Sequence, residues 1–168
     1  RWMPEDQFYK NKVANLVKAS TDLLTRYAAT DHASGSFKCR YYLGGETAEN
    51  LLDFATWAMW RQDSNPMQGV PFVLMLDQGA ANRSHLMRNF CRRVGIGEPL
   101  YHAPGAARVT GAVEKTHDIV RMHFETRFRF IKPEDVTLER LNSDIEAWGA
   151  AHCATREHTR TGRTRYGV

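Results

Sequence analysis

The chain has 168 residues, 42% hydrophobic and 25% charged, so its length and composition fit one globular domain rather than a disordered chain. It carries 23 Lys and Arg against 19 Asp and Glu, and the formal net charge of +4 favours an acidic partner. There is no apolar run of membrane-spanning length, no signal-like N-terminus and no dense set of cysteines, so we expect a cytoplasmic protein with reduced thiols.

The first part of the chain predicts a hairpin followed by a helix. Residues 1–23 are polar and mixed, and we expect them to form an irregular lead-in. Two alternating, aromatic-rich runs at 26–30 and 37–43 flank a Gly-containing turn, which predicts an antiparallel hairpin. Apolar residues at helical spacing then predict a helix over 47–61.

The middle of the chain is expected to alternate strands and helices. The nearly unbroken apolar run at 70–76 predicts a strand covered on both faces. A helix over 82–94, in which Asn82 is the expected cap, precedes a short strand at 100–102. A flexible loop is expected to begin at Pro104-Gly105 and to continue through Thr110-Gly111.

Two helices end the predicted series. The longest covers 112–130, with Val120 and Phe124 on its apolar stripe, and the last begins after a Thr137 cap. The order strand, strand, helix, strand, helix, strand, helix, helix predicts an α/β layer fold, a mixed sheet flanked by helices.

We interpret residues 1–168 as a single domain, with a core over 24–155 and a basic tail over 156–168. The tail has four arginines against one glutamate. Such a patch favours a polyanion, nucleic acid first, although a solvated terminal segment explains the charge equally well.

Two acidic residues occupy positions that suit chemistry. Asp77 directly follows the apolar run, at the strand end where open α/β sheets place their ligands. A turn-forming role before Gly79 competes with that interpretation. Glu114 lies early in the long helix, at the edge of its apolar stripe, where a favourable interaction with the helix dipole is the competing explanation.

The two acids are 37 positions apart, separated by a helix, a short strand and a Gly/Pro-rich loop. This arrangement resembles the catalytic core of the transposase and retroviral integrase (DDE) superfamily, whose ribonuclease H-like fold carries two Asp and one Glu. Residues 77–82 (DQGAAN) resemble its Asp-x-Gly-x-x-Asn/Phe segment, and residues 104–115 (PGAARVTGAVEK) resemble its Pro-x-x-(Arg/Gln)-x-x-Gly-x-x-Glu segment.

Two further segments extend the resemblance. Residues 31–35 (DHASG) are similar to the turn between the second and third strands of the family core. Residues 158–166 (HTRTGRTRY) are similar to the Arg-rich end of bacterial insertion-sequence transposase cores, so these transposases are the nearest in appearance.

The resemblance implies a metal-dependent polynucleotidyl transferase that hydrolyses and joins DNA strands in transposition. Asp77 and Glu114 would be catalytic residues and ligands of Mg²⁺ or Mn²⁺ in a two-metal site. The implied partners are the element ends, the target DNA and further copies of the chain, with no membrane involved. A protein of this bacterial type would associate with the nucleoid when it acts.

The first catalytic Asp of the family has no clear counterpart here. It lies on a strand before the hairpin, whereas Asp6 and Asp22 lie in unpatterned sequence. The third carboxylate is therefore expected upstream of Arg1, together with the first strand, or else it is Asp31. We prefer the upstream position because Asp31 already matches a turn of the family.

Basic residues around the Glu and in the tail are candidate contacts to DNA phosphates. These DNA-binding candidates are Arg108, Lys115, Arg121, Arg160, Arg163 and Arg165. A rival interpretation is a non-catalytic DNA-binding or assembly module of a truncated transposase with the same fold, which the missing first carboxylate supports.

Overall fold

The computed structural model describes residues 23–101, 107–131 and 136–168, and for 107–110 and Arg129 it describes the backbone alone. Asp6, Asp22 and nearly all of the predicted lead-in therefore lie outside the described residues. The predicted hairpin is confirmed: β1 (Leu24–Thr30) pairs antiparallel with β2 (Phe37–Leu43), with Leu24 opposite Leu43. Its turn needs a glycine at position 35, where φ is +70°.

The first two helices follow their capping residues. Helix α1 (Ala48–Met59) begins after Thr47, whose side chain accepts a hydrogen bond from Asn50 N at 3.1 Å. Helix α2 (His85–Val94) begins after Ser84 rather than at Asn82, so the expected Asn82 cap is wrong. The reason is local: Arg83 N bonds to Gly79 O and Ser84 N to Ala81 O, and these turns delay the helix.

The run at 70–76 differs most from its prediction. Only β3 (Met75–Leu76) is a strand, and it pairs in parallel with β4 (Leu100–Tyr101). Phe72 is 98% exposed, so the run is not covered on both faces. Alternate residues Leu74 and Leu76 pack on the core, which is the pattern of a segment buried on one face only.

The long helix starts earlier and ends earlier than predicted. Helix α3 (Ala107–His123) includes residues 110 and 111, which the sequence placed in a flexible loop. A glycine inside a helix costs only about 1 kcal/mol, so Gly111 does not prevent helix formation. After His123 the chain continues as a 3₁₀ helix (Glu125–Phe130). The Glu125 side chain of this helix accepts a hydrogen bond from the Tyr41 hydroxyl.

Helix α4 (Leu138–Thr155) begins after Thr137, as predicted, because the Thr137 hydroxyl accepts a hydrogen bond from Arg140 N at 3.2 Å. Its buried Asn142 amide bonds to both backbone groups of Tyr41, at 2.7 and 3.0 Å, and so joins α4 to the edge of β2. The main core lies between β2, α3 and α4. Its buried members are Phe37, Cys39, Tyr41, Val120, Phe124, Leu141, Ile145 and Cys153.

A second, smaller core joins the two middle helices. Leu51 and Ala55 of α1 pack against Met87 and Cys91 of α2, and Ile96 closes the cluster. This packing positions the loop that follows β3, because Leu76 and Ala81 contact the same cluster.

Residues 156–168, expected as a basic tail, fold back on the body of the protein. They form a hairpin of β5 (Glu157–His158) and β6 (Arg163–Thr164), then a 3₁₀ turn (Arg165–Gly167). Arg165 is only 8% exposed, and Tyr166 packs on the main core. Part of the basic patch is therefore buried in the fold and does not form a solvated tail.

The predicted α/β class is confirmed, with helices flanking small sheets. Antiparallel and parallel pairings both occur, but they form separate two-stranded sheets, because no strand in the described ranges joins β1 to β3. Among the helices that the structure describes, none has the length and apolar character needed to cross a bilayer.

Candidate metal and nucleic-acid site

Asp77 directly follows β3 and is exposed at the end of that strand. Its Oδ1 accepts hydrogen bonds from Gly79 N, at 2.7 Å, and from the Asn82 side-chain amide. Oδ2 receives no hydrogen bond from any residue within the described ranges. The turn therefore orients the carboxylate through one oxygen and leaves the other open, so the turn-forming role and a ligand role are compatible.

Asn82 acts on Asp77 instead of capping a helix. Its own carbonyl accepts a hydrogen bond from the Tyr101 hydroxyl at 3.1 Å, which ties this loop to β4. A Cβ at position 79 would lie 2.9 Å from Asp77 Oδ1, so a glycine permits the close turn. The sequence did not reveal this role of Asn82, because a five-residue separation matches no standard capping pattern.

Glu114 lies on α3 with an exposed side chain that forms no ion pair with the part of the chain described. The helix beneath it is fixed to β1: the hydroxyls of Thr116 and Thr30 are 2.9 Å apart. Glu114 is thus an open carboxylate on a rigid element, which is the arrangement that a metal ligand or a substrate contact requires.

A partly buried polar network anchors the far end of the same helix. Arg26 of β1 pairs with Glu125, and its guanidinium also donates to Nδ1 and the carbonyl of His117. The Tyr41 hydroxyl donates to Glu125 Oε1 at 2.7 Å. Burial, followed by the charge of Arg26, lowers the pKa of His117, so this imidazole remains neutral beside the guanidinium.

Asp31 is engaged in its own turn. Its Oδ2 accepts hydrogen bonds from Ser34 N at 2.7 Å and from Ser34 Oγ at 2.6 Å. No group of three or more His, Cys, Asp or Glu side chains in the described ranges is placed to hold a metal ion. Asp31, Asp77 and Glu114 therefore do not assemble into a three-carboxylate centre.

The six basic candidates fall into separate groups. Lys115, Arg160 and Arg165 line one pocket. Arg121 is exposed and pairs with Asp118 at 2.9 Å, and Arg163 is exposed outside the pocket. Arg108 lies in the first turn of α3, and its side chain is not among those described.

The donor chemistry of Asp77 and Glu114 fits magnesium. Mg²⁺ prefers carboxylate oxygens, at about 2.0–2.1 Å, and commonly takes only one or two from the protein, with waters and substrate phosphate in its other positions. Within the described residues, Asp77 Oδ2 and both oxygens of Glu114 accept no hydrogen bond, so they suit such a role. A third protein carboxylate is not supplied by the described residues.

Comparisons with known proteins identify the fold. The sequence matches no protein-family model and has no significant match among curated proteins. The structure is similar to the catalytic core of HTLV-2 integrase in complex with magnesium, in its trimeric form, with a TM-score of 0.61 and 18% identity over 86% of this chain and 90% of that one. It is also similar to the catalytic core of BIV integrase, with a TM-score of 0.57 and 19% identity over 84% and 82% of the two chains.

A chain from the simian T-cell lymphotropic virus intasome, solved in complex with PP2A regulatory subunit B56 gamma, gives a TM-score of 0.70 with 18% identity. The match covers 89% of this chain but 50% of the intasome chain, so the present chain spans about half the length of that protein. The fold is therefore the ribonuclease H-like α/β fold of the retroviral integrase catalytic cores.

Proposed function

We propose that the chain is the catalytic core of a DNA transposase or integrase, which hydrolyses phosphodiester bonds and transfers DNA strands in transposition. The observation that carries the proposal is that the integrase-core fold and two suitably placed acidic residues occur together. The integrase-core fold extends over most of the chain, and within it Asp77 directly follows β3 while Glu114 lies exposed on α3. The Arg-rich segment 158–166 favours an insertion-sequence transposase over a viral enzyme.

In this proposal Asp77 and Glu114 hold Mg²⁺ or Mn²⁺, and a further carboxylate comes from outside the described residues. When bound, such ions would supply Lewis-acid charge to the phosphodiester and to the attacking hydroxyl. Asn82 and Gly79 N keep Asp77 oriented, and the bonds of Thr116 and Arg26 keep the helix of Glu114 against β1. The nucleophile is water for end hydrolysis and a DNA 3′-hydroxyl for joining.

The DNA contacts and the assembly state belong to the same proposal. Arg108, Lys115, Arg121 and Arg163 would contact phosphates beside the carboxylates and along the C-terminal hairpin. The HTLV-2 core occurs in trimeric and dimeric forms, which supports a homo-oligomer here. A protein that acts on chromosomal DNA in this way would be found with the bacterial nucleoid.

The test is Mn²⁺-dependent nicking of DNA that carries the element ends, using the protein as its gene encodes it. Asp77→Asn and Glu114→Gln should each reduce cleavage by at least about 100-fold, because each removes a metal-binding charge. Asp63→Asn and Glu98→Gln make the same chemical changes at exposed acids outside the site and should cleave normally. Equal cleavage by the site variants and the wild type would overturn the assignment.

A non-catalytic DNA-binding or assembly module is the second candidate. It is favoured by the lack of a three-carboxylate group in the described part of the chain. Such a module would bind DNA with or without Mn²⁺ and would cleave neither DNA nor an RNA–DNA hybrid. A strand-like run containing Trp-x-x-Asp, encoded before Arg1, would instead favour the enzyme.

A further inference from the structure

A cavity of about 280 Å³ opens where three distant parts of the chain meet. The β1–β2 turn contributes Asp31 and His32, and helix α3 contributes Lys115. Arg160 comes from the C-terminal hairpin and Arg165 from the 3₁₀ turn that follows it. Asp77 and Glu114 do not line it, although Lys115 directly follows Glu114 on α3.

The charge of the lining is unbalanced. Lys115, Arg160 and Arg165 contribute three positive charges, and Asp31 is the one acidic residue among the lining residues. The hydrogen bonds from Ser34 hold the Asp31 carboxylate in its turn. None of the three cations forms an ion pair with an acid in the ranges that the structure describes. Among the described lining residues the pocket therefore carries three cations against one carboxylate, and none of these cations is paired with that carboxylate.

The two arginines are held in place by neutral acceptors. Arg160 donates to the carbonyls of His32 and Ala33 at 2.8 and 2.7 Å, and Arg165 Nε donates to the Gly35 carbonyl at 3.1 Å. Carbonyls orient a guanidinium but do not neutralise its charge. Because Arg165 is 8% exposed, its charge is largely removed from water, and a bound anion would offset that desolvation.

The contact between the turn and the hairpin makes the pocket preformed. A Cβ at position 35 would lie 2.6 Å from the His158 ring, so the glycine allows these two segments to touch. Burial, with Arg165 and Arg160 nearby, lowers the pKa of His158, as expected for an imidazole in a positive field. Preformed donors lose little freedom when a ligand binds.

We propose that this pocket binds a phosphate group of a nucleic-acid strand. Arginine guanidinium groups and a lysine ammonium are the donors that suit phosphate oxygens. The cavity volume lies just below the range of drug-sized ligand pockets, so it suits one phosphate with its attached sugar rather than a larger ligand. The inference rests on the proposed function only in taking DNA as the source of the phosphate.

The experiment measures binding of two probes, inorganic phosphate and a 5′-phosphorylated thymidine octanucleotide, by calorimetry in EDTA at fixed salt. Lys115→Gln and Arg160→Gln should each weaken octanucleotide binding by about 10-fold. Arg93→Gln, the same charge change at an exposed residue of α2, should change it by less than about 2-fold. Equal losses of octanucleotide affinity in all three variants would show that only the net charge matters, and would overturn the proposal.

A second measurement covers the case in which a variant folds poorly. In amide NMR spectra of the wild-type protein, the octanucleotide should shift the signals of Gly35 and Gly111, which line the pocket, before those of α2. Shifts confined to other regions would contradict the proposal. If inorganic phosphate competes fully with the octanucleotide at equal concentration, the pocket is a free-anion site and the nucleic-acid source is wrong.

The pocket and the catalytic proposal fail separately. Asp77→Asn should lose cleavage yet retain wild-type octanucleotide affinity in EDTA, because Asp77 lies outside the pocket. Binding that survives in a protein without cleavage would leave the pocket in place and refute only the catalytic assignment. Absence of octanucleotide binding, with cleavage intact, would refute the pocket and leave the catalytic assignment in place.

Discussion

His152 is a half-buried imidazole in a positively charged environment. On α4 its ring lies against Trp148 and Phe37, with ring centroids 5.1 and 5.7 Å away. Burial is the first cause that lowers its pKa, and the charges of Arg165 and Arg156 are the next, so the value falls from 6.5 to about 4. The folded protein therefore keeps this histidine neutral under conditions in which the unfolded chain protonates it.

This difference makes stability dependent on pH. Above pH 6.5 neither state binds the proton; between about pH 6.5 and 4 the unfolded state binds it and the folded state does not, so stability is lost as the pH falls. After discounting for partial exposure, the loss is about 2 kcal/mol. His152→Gln should remove that part of the loss in urea unfolding at pH 7 and pH 4.5. His85→Gln, at an exposed imidazole, is the control, and an unchanged pH dependence in the His152 variant would contradict the argument.

At the scale of elements, one polar network fixes α3 and the 3₁₀ segment to the hairpin. The Arg26 side chain is 14% exposed, and it pairs with Glu125, which also accepts from Tyr41. Removing Glu125 leaves the charge of the largely buried Arg26 uncompensated, whereas removing both partners avoids this. The network is therefore expected to specify position more than to add stability.

A double-mutant cycle tests this. Glu125→Ala should lower the free energy of unfolding by about 2–3 kcal/mol, and Arg26→Met combined with Glu125→Ala should lower it by less than the sum of the single changes. Asp118→Ala, which breaks the exposed pair with Arg121, should cost less than about 1 kcal/mol. Additive losses in the buried pair, measured by urea denaturation, would show that the two side chains act independently.

Elements with a strong local pattern were predictable from the sequence. The hairpin and α4 have alternation or a cap within a few residues, and the structure places them where that pattern lies. The start of α3 was not predictable, because Pro104-Gly105 and Gly111 are typical of a loop. In the structure the residues from Ala107 onward are nevertheless helical. The exposure of Phe72 depends on which strands lie beside it. The local sequence does not show which strands these are.

At the scale of the whole molecule, part of the candidate site was predictable from the sequence and part was not. Asp77 and Glu114 could be singled out because each stands at the end or start of a predicted element. The cavity proposed to bind phosphate could not be singled out, because it combines side chains from the turn at 31–35, from α3 and from the C-terminal segment 157–167. Only the folded chain shows that Arg165 is buried there while Arg163 remains in solvent.

Under the proposed function, the exposed arginines would set the salt dependence of DNA binding. Each phosphate contact releases condensed counter-ions, so the plot of log affinity against log salt steepens by about 0.9 per contact on duplex DNA. Arg163→Gln should therefore reduce that slope by about 1 and weaken binding similarly on unrelated sequences, because phosphate contacts carry no base information. Fluorescence anisotropy from about 50 to 200 mM salt measures it, with Arg93→Gln as the charge-matched control. An equal change of slope in both variants would mean that the net charge of +4, rather than the C-terminal hairpin, attracts the DNA.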